Sequence, residues 1–315
     1  MGEIRIGTSG WSYPGGKGSW NGIFYPVPAG RRPRGAPKFD ELAFYAQHFD
    51  TVEINSSFYG VPAVSTTRAW AERTPPGFEF SLKLYQKFTH PNLSAKSGGD
   101  PLDIGQKDVD AFRQAIDPLA EAGKLGAMLA QFPASYRNDP ESREYLEWLL
   151  DRFKGYPIAV ELRHRSWSDD PVETLQMLEA SGAAWAQIDE PKFKFSIRQN
   201  LLPNVRTFYY LRLHGRNAAQ WWNHGNSEDR YNYLYSADEL RPFAEAAEEA
   251  SHRVKKAYLY TNNHFSAKSV ANAAILKHEL RQDLPGEYPE EFVERYPDLK
   301  GLVRVLPPEP SRTPS

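Results

Sequence analysis

The chain has 315 residues, a formal net charge of −2 at pH 7 and 40% hydrophobic residues, which excludes a disordered chain and permits a large core. The balanced charge excludes binding to DNA or to an anionic membrane through a whole-protein field, so a nucleic-acid contact would need a local patch. The lack of cysteine excludes disulfides and cysteine nucleophiles, and the sequence shows neither a signal peptide nor about 18 consecutive apolar residues, which predicts a cytoplasmic protein without membrane contact.

Eight short β-type runs alternate with helical patterns along the chain. The strands are predicted over residues 4–8, 51–55, 78–84, 125–132, 157–163, 183–189, 207–214 and 257–262. The helices are predicted over residues 39–49, 63–73, 109–122, 140–153, 171–180, 237–252 and 266–280. This alternation implies a parallel sheet with right-handed crossovers, and eight units close a barrel. We therefore predict a single (β/α)8 TIM-type barrel, and the absence of a glycine-rich loop after the first strand disfavours a doubly wound sheet.

Long inserts follow the first, third and seventh predicted strands. They cover residues 9–35, 85–105 and 215–236. Because each insert follows a strand, all three are expected at the carboxyl face of the barrel, where long ordered loops are commonly functional. The predicted barrel domain covers residues 1–284. Residues 285–315 are predicted to form a C-terminal extension whose last residues are disordered.

In five of the predicted strands, the polar side chains fall on the same side of the strand, the side that faces the barrel interior. In the second strand, Val52 and Ile54 are expected to face the outer helices, so Glu53 and Asn55 face inward. The inward polar residues near the strand ends form a ring of Glu53, Lys83, Gln131, Glu161, Arg163, Asp189, Arg212, His214 and Asn262. Any single ion pair of this ring, taken alone, is explained more simply by a structural role than by a catalytic one. The ring as a whole predicts an active site, because burying so many charges costs several kcal/mol per unpaired ion and barrel enzymes react at this mouth.

The ring contains the groups needed for acid–base chemistry on a polar or anionic small molecule, either carbohydrate-like or phosphorylated. Glu53, Glu161 and Asp189 are candidate acids and bases. Lys83 is a Schiff-base nucleophile or an electrostatic clamp, and His214 is a candidate proton carrier. The predicted protein is therefore an enzyme of the hydrolase, lyase or isomerase class.

Substrate-binding residues are expected both in the ring and in the loops above it. Arg212, Arg216 and the backbone N–H groups of a helix starting near Ser266 suit a phosphate or carboxylate, although residues 215–217 also fit an ordinary turn. Aromatic rings above the mouth suit sugars or bases, unless they only pack the loops onto the barrel. The predicted binding residues are Trp11, Tyr13, Asn55, Tyr59, Gln131, Arg163, Trp167, Arg212, Arg216, Trp222, Tyr231, Asn262 and Asn263.

The residue types in the ring favour a site without a cofactor. Lys83, Arg163 and Arg212 compete for the carboxylate oxygens that a divalent metal would need. Two alternatives stay open. One is a metal-dependent isomerase or nuclease with the carboxylates and His214 as ligands. The other is a non-catalytic binder of single-stranded nucleic acid, which the balanced charge and the carboxylates disfavour.

Short motifs form a joint pattern over residues 4–280. The main ones are GTSGWSY at residues 7–13, VEIN at 52–55, FSLK at 80–83, QFP at 131–133, ELR at 161–163, LRLHGR at 211–216 and NNH at 262–264. At these residues the chain resembles the YecE-like proteins, domain-of-unknown-function family 72. The resemblance implies a TIM-barrel fold and supplies no established activity. Ser56 and Ser57 stand where the family pattern has a Ser/Thr pair, which is a mild departure.

Overall fold

The protein is described by a computed structural model that covers residues 1–27, 39–90, 104–222, 225 and 228–306. Its strands are β1 (Glu3–Ser9), β2 (Thr51–Ile54), β3 (Glu79–Lys83), β4 (Leu125–Gln131), β5 (Ile158–Glu161), β6 (Ala184–Trp185), β7 (Gln187–Asp189), β8 (Phe208–Leu213) and β9 (Lys256–Thr261). All pairs are parallel, in the order β6-β5-β4-β3-β2-β1-β9-β8-β7. The sixth predicted strand is divided into β6, which pairs with β5, and β7, which pairs with β8, so the sheet closes through this strand. The predicted TIM-type barrel is confirmed.

Helices surround the sheet. They are α1 (Glu41–Tyr45), α2 (Ser56–Tyr59), α3 (Val64–Glu72), α4 (Gln86–Thr89), α5 (Gln106–Glu121), α6 (Pro140–Arg152), α7 (Ser166–Asp169), α8 (Pro171–Ala180), α9 (Ala237–Ser251), α10 (Lys268–Glu279) and α11 (Glu290–Arg295). The fully described stretch 190–207 contains no helix, in line with its weak helical pattern. In the described part of the chain, no helix is long and apolar enough to cross a membrane.

Local backbone chemistry explains several helix boundaries. The Ser236 side chain accepts from the Glu239 backbone N–H and starts α9 with a capping box. The helix predicted from residue 266 starts later, at Lys268, because Ser266 and Ala267 adopt left-handed φ angles of 53° and 63°. These two residues belong to a short 3-10 turn over Phe265–Ala267.

The hydrophobic core has two layers. The outer layer lies between sheet and helices and contains Val52, Ile54 and the other residues predicted to face outward. The inner layer fills the barrel and consists of Ala127, Leu129, Ala159, Ala184, Ala186, Phe208, Tyr210, Tyr258 and Tyr260. Alanines of β4 to β6 thus share the interior with tyrosines of β8 and β9, and small and large side chains together fill the space.

The predicted phase of the sixth strand is correct for Ile188, which belongs to the outer layer, and wrong for Asp189, which does not line the mouth. Asp189 pairs with Arg216 and Tyr235 instead. Ala184 and Ala186 belong to the interior layer, and the strand is interrupted between Trp185 and Gln187, so a single alternation does not run through all of its residues.

Residues 285–306, predicted as an extension, pack onto the barrel. Phe292 of α11 is fully buried, and its ring centroid lies 5.6 Å from that of Phe24 in the first long loop. The Tyr296 hydroxyl donates to the carbonyl of Ser266. The segment therefore forms part of the outer core layer. The predicted disorder of the last residues concerns 307–315, which lie outside the described residues.

Candidate active site

A cavity of about 360 Å³ opens at the carboxyl ends of the strands, at the predicted mouth. Its volume suits a small organic molecule. The predicted site residues that line it are Tyr13, Asn55, Tyr59, Lys83, Gln131, Arg163, Arg212, Trp222, Tyr231 and Asn262. Lining residues outside the predicted set of site residues are His90, Pro133, Ala134, Glu190, Phe193, Phe195, Trp221, Arg230 and His264.

Arg212 of β8 forms the floor of the cavity and is 1% exposed. Its Nε and Nη2 donate to Glu53 Oε2 and Oε1 at 2.9 and 2.7 Å. Its Nη1 donates to Glu161 Oε2 at 2.5 Å. The Glu53 oxygens also accept from the hydroxyls of Ser9 and Tyr210, at 2.6 and 2.7 Å. Glu53 therefore has two donors on each oxygen and no oxygen left for a reacting proton.

Glu161 of β5 is held in the same way. Its Oε1 accepts from Arg163 Nε at 2.7 Å and lies 2.6 Å from Arg163 Nη2. Burial alone would raise its pKa, but Arg212, Arg163 and the neighbouring His214 hold the pKa of this carboxyl well below its usual range. Glu161 is thus a permanent anion that anchors two guanidinium groups, and a weak base.

His214 is buried next to these ions. Its Nε2 lies 3.2 Å from Arg163 Nη2 and 3.4 Å from Arg212 Nη1, and its Nδ1 lies 2.9 Å from the Asn262 amide nitrogen. Burial and the neighbouring cations lower the pKa of His214 to about 3, although Glu161 opposes the shift. The imidazole is therefore neutral near pH 7, and this environment does not suit the predicted role of proton carrier.

Lys83 ends β3 and extends into the cavity. Its Nζ lies 3.9 Å from the centre of the Phe58 ring, and no carboxylate of the described residues comes within ion-pair distance of it. The hydroxyl of Ser57 donates to the Lys83 carbonyl at 2.6 Å and holds the end of the strand in place. Burial lowers the pKa of Lys83 to about 7, with further lowering by Arg212 and Arg163.

Glu190 is an acidic residue of the cavity that the sequence analysis missed. Its side chain is 5% exposed, and its Oε2 lies 3.4 Å from Arg163 Nη1. That oxygen makes no hydrogen bond to any residue that the structure describes. Burial raises the pKa of Glu190, although Arg163 opposes the shift. Glu190 directly follows β7 and lies beyond the predicted sixth strand, which ends at Asp189, so strand alternation gave no signal for it.

Aromatic side chains form the walls and rim of the cavity. The ring of Tyr13 stacks on His264 at 4.3 Å, and the ring of Tyr231 lies 4.8 Å from the same imidazole. Tyr59 and Trp222 are 75% and 61% exposed, so their faces are open to solvent at the rim. These positions agree with the predicted aromatic surroundings of the mouth.

The structure separates Asp189 and Arg216 from the cavity. Arg216 Nε and Nη2 donate to the two Asp189 oxygens at 2.7 and 3.1 Å, and the Tyr235 hydroxyl donates to Asp189 Oδ2 at 2.7 Å. Arg216 also reaches Glu239 at 3.3 Å. Neither Asp189 nor Arg216 lines the cavity, and together they form a structural ion pair. The predicted phosphate site that combined Arg216 with the start of a helix is not assembled.

Three predicted binding residues are structural. Trp11 packs edge-on against Trp70 with ring centroids 5.5 Å apart. Trp167 is fully buried, and its indole N–H donates to the Tyr136 carbonyl at 3.0 Å. Asn263 is fully buried as well, and its amide donates to Asn272 and to the Tyr233 carbonyl. None of the three lines the cavity.

The described residues do not fit a divalent metal. None of their His, Asp and Glu side chains form a group of three or more that could hold an ion. The oxygens of Glu53 and Glu161 face Arg212 and Arg163 instead. A cation would have to displace these guanidinium groups to find ligands.

Comparisons with known proteins give one consistent result. A sequence model of the family described as protein of unknown function DUF72 matches residues 5–292. UPF0759 protein YunF from Bacillus subtilis is 28% identical over 296 residues, which are 92% of this chain and 99% of that protein. UPF0759 protein YecE from Escherichia coli is 31% identical over about half of each chain. A crystal structure of a DUF72 family protein from Thermotoga maritima is 32% identical, with a TM-score of 0.73 over 89% of this chain and 100% of that one.

Proposed function

The chain belongs to the DUF72 family of proteins of unknown function, and we propose that it is an enzyme that transfers protons on a small anionic organic molecule. Family membership confirms the resemblance of the motifs and names no reaction, so the support comes from the site. The observation that carries the proposal is the pair Lys83 and Glu190. An amine without a carboxylate partner and a carboxylate with an unbonded oxygen border the same cavity.

The two groups have the environments that acid–base chemistry needs. Burial lowers the pKa of Lys83 to about 7 and raises the pKa of Glu190, so both shifts run toward neutral pH. A general acid or base works best when its pKa lies near the operating pH. The other carboxylates, Glu53 and Glu161, are engaged by Arg212 and keep the floor rigid.

Arg163 favours an anionic substrate. Its side chain is 17% exposed, and its Nη1 lies 3.4 Å from Glu190, which is longer than a good charged hydrogen bond. A substrate carboxylate or phosphate would offer this guanidinium a closer partner. The walls of Tyr13 and Tyr231 then exclude water and strengthen the ion pair.

The proposal is tested by proton exchange rather than by a guessed reaction. The protein is incubated in D2O with a panel of small carboxylates, sugars and sugar phosphates, and NMR records which C–H positions take up deuterium. We expect exchange into one chemical class, and a loss of about 10²-fold or more in Lys83→Met and Glu190→Gln, the range for removal of a general acid or base. The exposed residues Lys154 and Glu147 provide the matched controls Lys154→Met and Glu147→Gln.

Two results would contradict the proposal. Exchange that persists in both cavity variants would show that Lys83 and Glu190 do not carry the proton. Binding of a short single-stranded oligonucleotide, without binding or exchange of any small molecule, would favour the non-catalytic alternative.

A further inference from the structure

We infer that Lys83 forms a Schiff base with the carbonyl group of a small oxo acid whose carboxylate pairs with Arg163. The inference rests on the proposed function and adds a covalent step and a substrate class to it. It depends on where the amine lies, on what surrounds it and on which cation of the cavity is accessible.

The position of Lys83 suits a nucleophile better than a clamp. Buried lysines normally pair with a carboxylate, whereas the Lys83 amine rests on the face of Phe58. The nearby carboxylates Glu53 and Glu161 are already bonded to Arg212. Burial and the neighbouring guanidinium groups make this amine lose its proton more readily, and without a carboxylate partner its lone pair is available.

The charged groups that face Lys83 act on its pKa in opposite directions. Arg212 of β8 and Arg163, which follows β5, lower the pKa of Lys83, in addition to burial. Glu161 and Glu53 oppose the shift, and the net value is about 7. His90, after α4, has a pKa lowered to about 3 by burial and by Lys83, so it adds no positive charge. Lys83 therefore gives up its proton more readily than an ordinary lysine near pH 7.

Arg163 is the better of the two arginines for holding the substrate carboxylate. Arg212 is 1% exposed and donates to Glu53, Glu161 and Gln131. Arg163 is more accessible, and it has one nitrogen, Nη1, that faces Glu190 only at 3.4 Å. A planar carboxylate binds such a guanidinium edge well. A molecule that bridges Arg163 and Lys83 would carry its carbonyl close to its acid group.

The covalent step is balanced by the groups of the cavity. The Lys83 nitrogen lone pair forms the C–N bond while the carbonyl π pair moves to oxygen. The oxygen then leaves as water with the two protons that the amine gives up, and Glu190 passes them on. The products are an imine and one water molecule, and no electrons are exchanged with another reagent. A further proton, donated by Glu190 in its acid form, converts the imine to an iminium, which withdraws electrons from the neighbouring carbon and makes its C–H proton removable.

The experiment traps the imine on the intact protein. Pyruvate, the probe oxo acid, is added with cyanoborohydride, which reduces an imine to a stable secondary amine, and peptide mass mapping locates the modified lysines. We expect modification of Lys83 at least about tenfold faster than of Lys154, because its free-amine fraction at pH 7 is far larger. Acetone, which lacks the carboxylate, is expected to modify Lys83 more slowly than pyruvate does. In the variant Arg163→Gln, the two compounds are expected to modify Lys83 at the same rate.

Binding is measured separately, so that failure of this inference differs from failure of the proposed function. A thermal shift with lactate, which has the carboxylate but no ketone, reports anion binding alone. Stabilisation by lactate and pyruvate without an adduct on Lys83 would overturn the Schiff base and leave the proton-transfer enzyme standing. Neither stabilisation nor adduct with any anion of the panel would overturn both. Because the wild-type protein gives the decisive result, a variant that folds poorly does not affect the conclusion.

Discussion

The charge balance of the mouth depends on single residues, above all on Arg212, which pairs with two carboxylates. It is nearly fully buried and bonded to both Glu53 and Glu161. Removing it would leave two carboxylates with too few partners in a place that water hardly reaches. Breaking a buried ion pair from one side costs about 3–5 kcal/mol.

We therefore expect Arg212→Met to lower the free energy of unfolding by about 3–5 kcal/mol, measured by urea denaturation at pH 7. Arg241→Met is the matched control. Arg241 is 52% exposed in its ion pair with Asp238, and we expect a change within about 0.5 kcal/mol. A loss below about 1 kcal/mol in Arg212→Met would mean that the two carboxylates are not held by this guanidinium.

His214 gives a prediction for pH. Its pKa of about 3 in the folded protein lies below the value of about 6.5 expected when unfolded. Between these values the unfolded chain binds one more proton, so His214 makes stability fall as the pH drops from about 6.5 toward 3. The contribution is about 1.4 kcal/mol per pH unit.

The variant His214→Asn should lack this contribution, so its unfolding free energy should depend less steeply on pH, by about 1.4 kcal/mol per unit between pH 4 and 6. Unfolding titrations at several pH values measure the slope. His252→Gln is the control, because His252 is exposed in the folded protein. Equal slopes in wild type and His214→Asn would contradict a neutral buried imidazole.

At the scale of elements, α11 shows how the C-terminal segment belongs to the barrel. Phe292 is buried against Phe24 and stacks on Tyr288 at 5.7 Å. We expect Phe292→Ala to destabilise the protein by about 3–5 kcal/mol, as for other buried phenylalanines. Thermal unfolding with Glu294→Ala as an exposed control on the same helix measures the difference. An equal midpoint for both variants would show that α11 is not packed on the core.

The sixth strand shows how an element can change the identity of a site. Its division into β6 and β7, with Ala184 and Ala186 facing inward, moves Asp189 out of the mouth and brings Glu190 into it. The two acids are neighbours in the chain, but only the second borders the cavity.

At the scale of the whole molecule, the barrel interior joins alanines from one side to tyrosines from the other. Ala159 of β5 is fully buried in the same cluster as Tyr210, Tyr258 and Tyr260. We expect Ala159→Leu to cost about 1–3 kcal/mol through overpacking, measured by urea denaturation. Ala180→Leu, at the exposed end of α8, is the control. No cost in Ala159→Leu would show that the interior has spare volume.

The sequence by itself determined the barrel architecture, and it predicted a site at the carboxyl ends of the strands. Alternating strand and helix patterns are local properties, and eight parallel units close only as a barrel. Strand alternation needs no knowledge of the neighbouring strands, and it predicted a single ring for the residues whose contacts join Arg212 to Glu53 and Glu161 near Lys83 and Arg163. The cytoplasmic location, the absence of a cofactor and the chemical roles of these residues stay predictions.

Only the tertiary structure decided which charges are free and which are paired. Glu53 and Arg212 are 159 residues apart and meet across the barrel, so no spacing in the sequence indicates their bond. The same holds for the unpartnered oxygen of Glu190 and the amine of Lys83 on the Phe58 ring. The contact of Ala184 and Ala186 with the interior tyrosines likewise joins distant strands. Ion pairing and side-chain packing depend on the distances between segments that are remote in the sequence. Those distances are fixed only when the barrel closes.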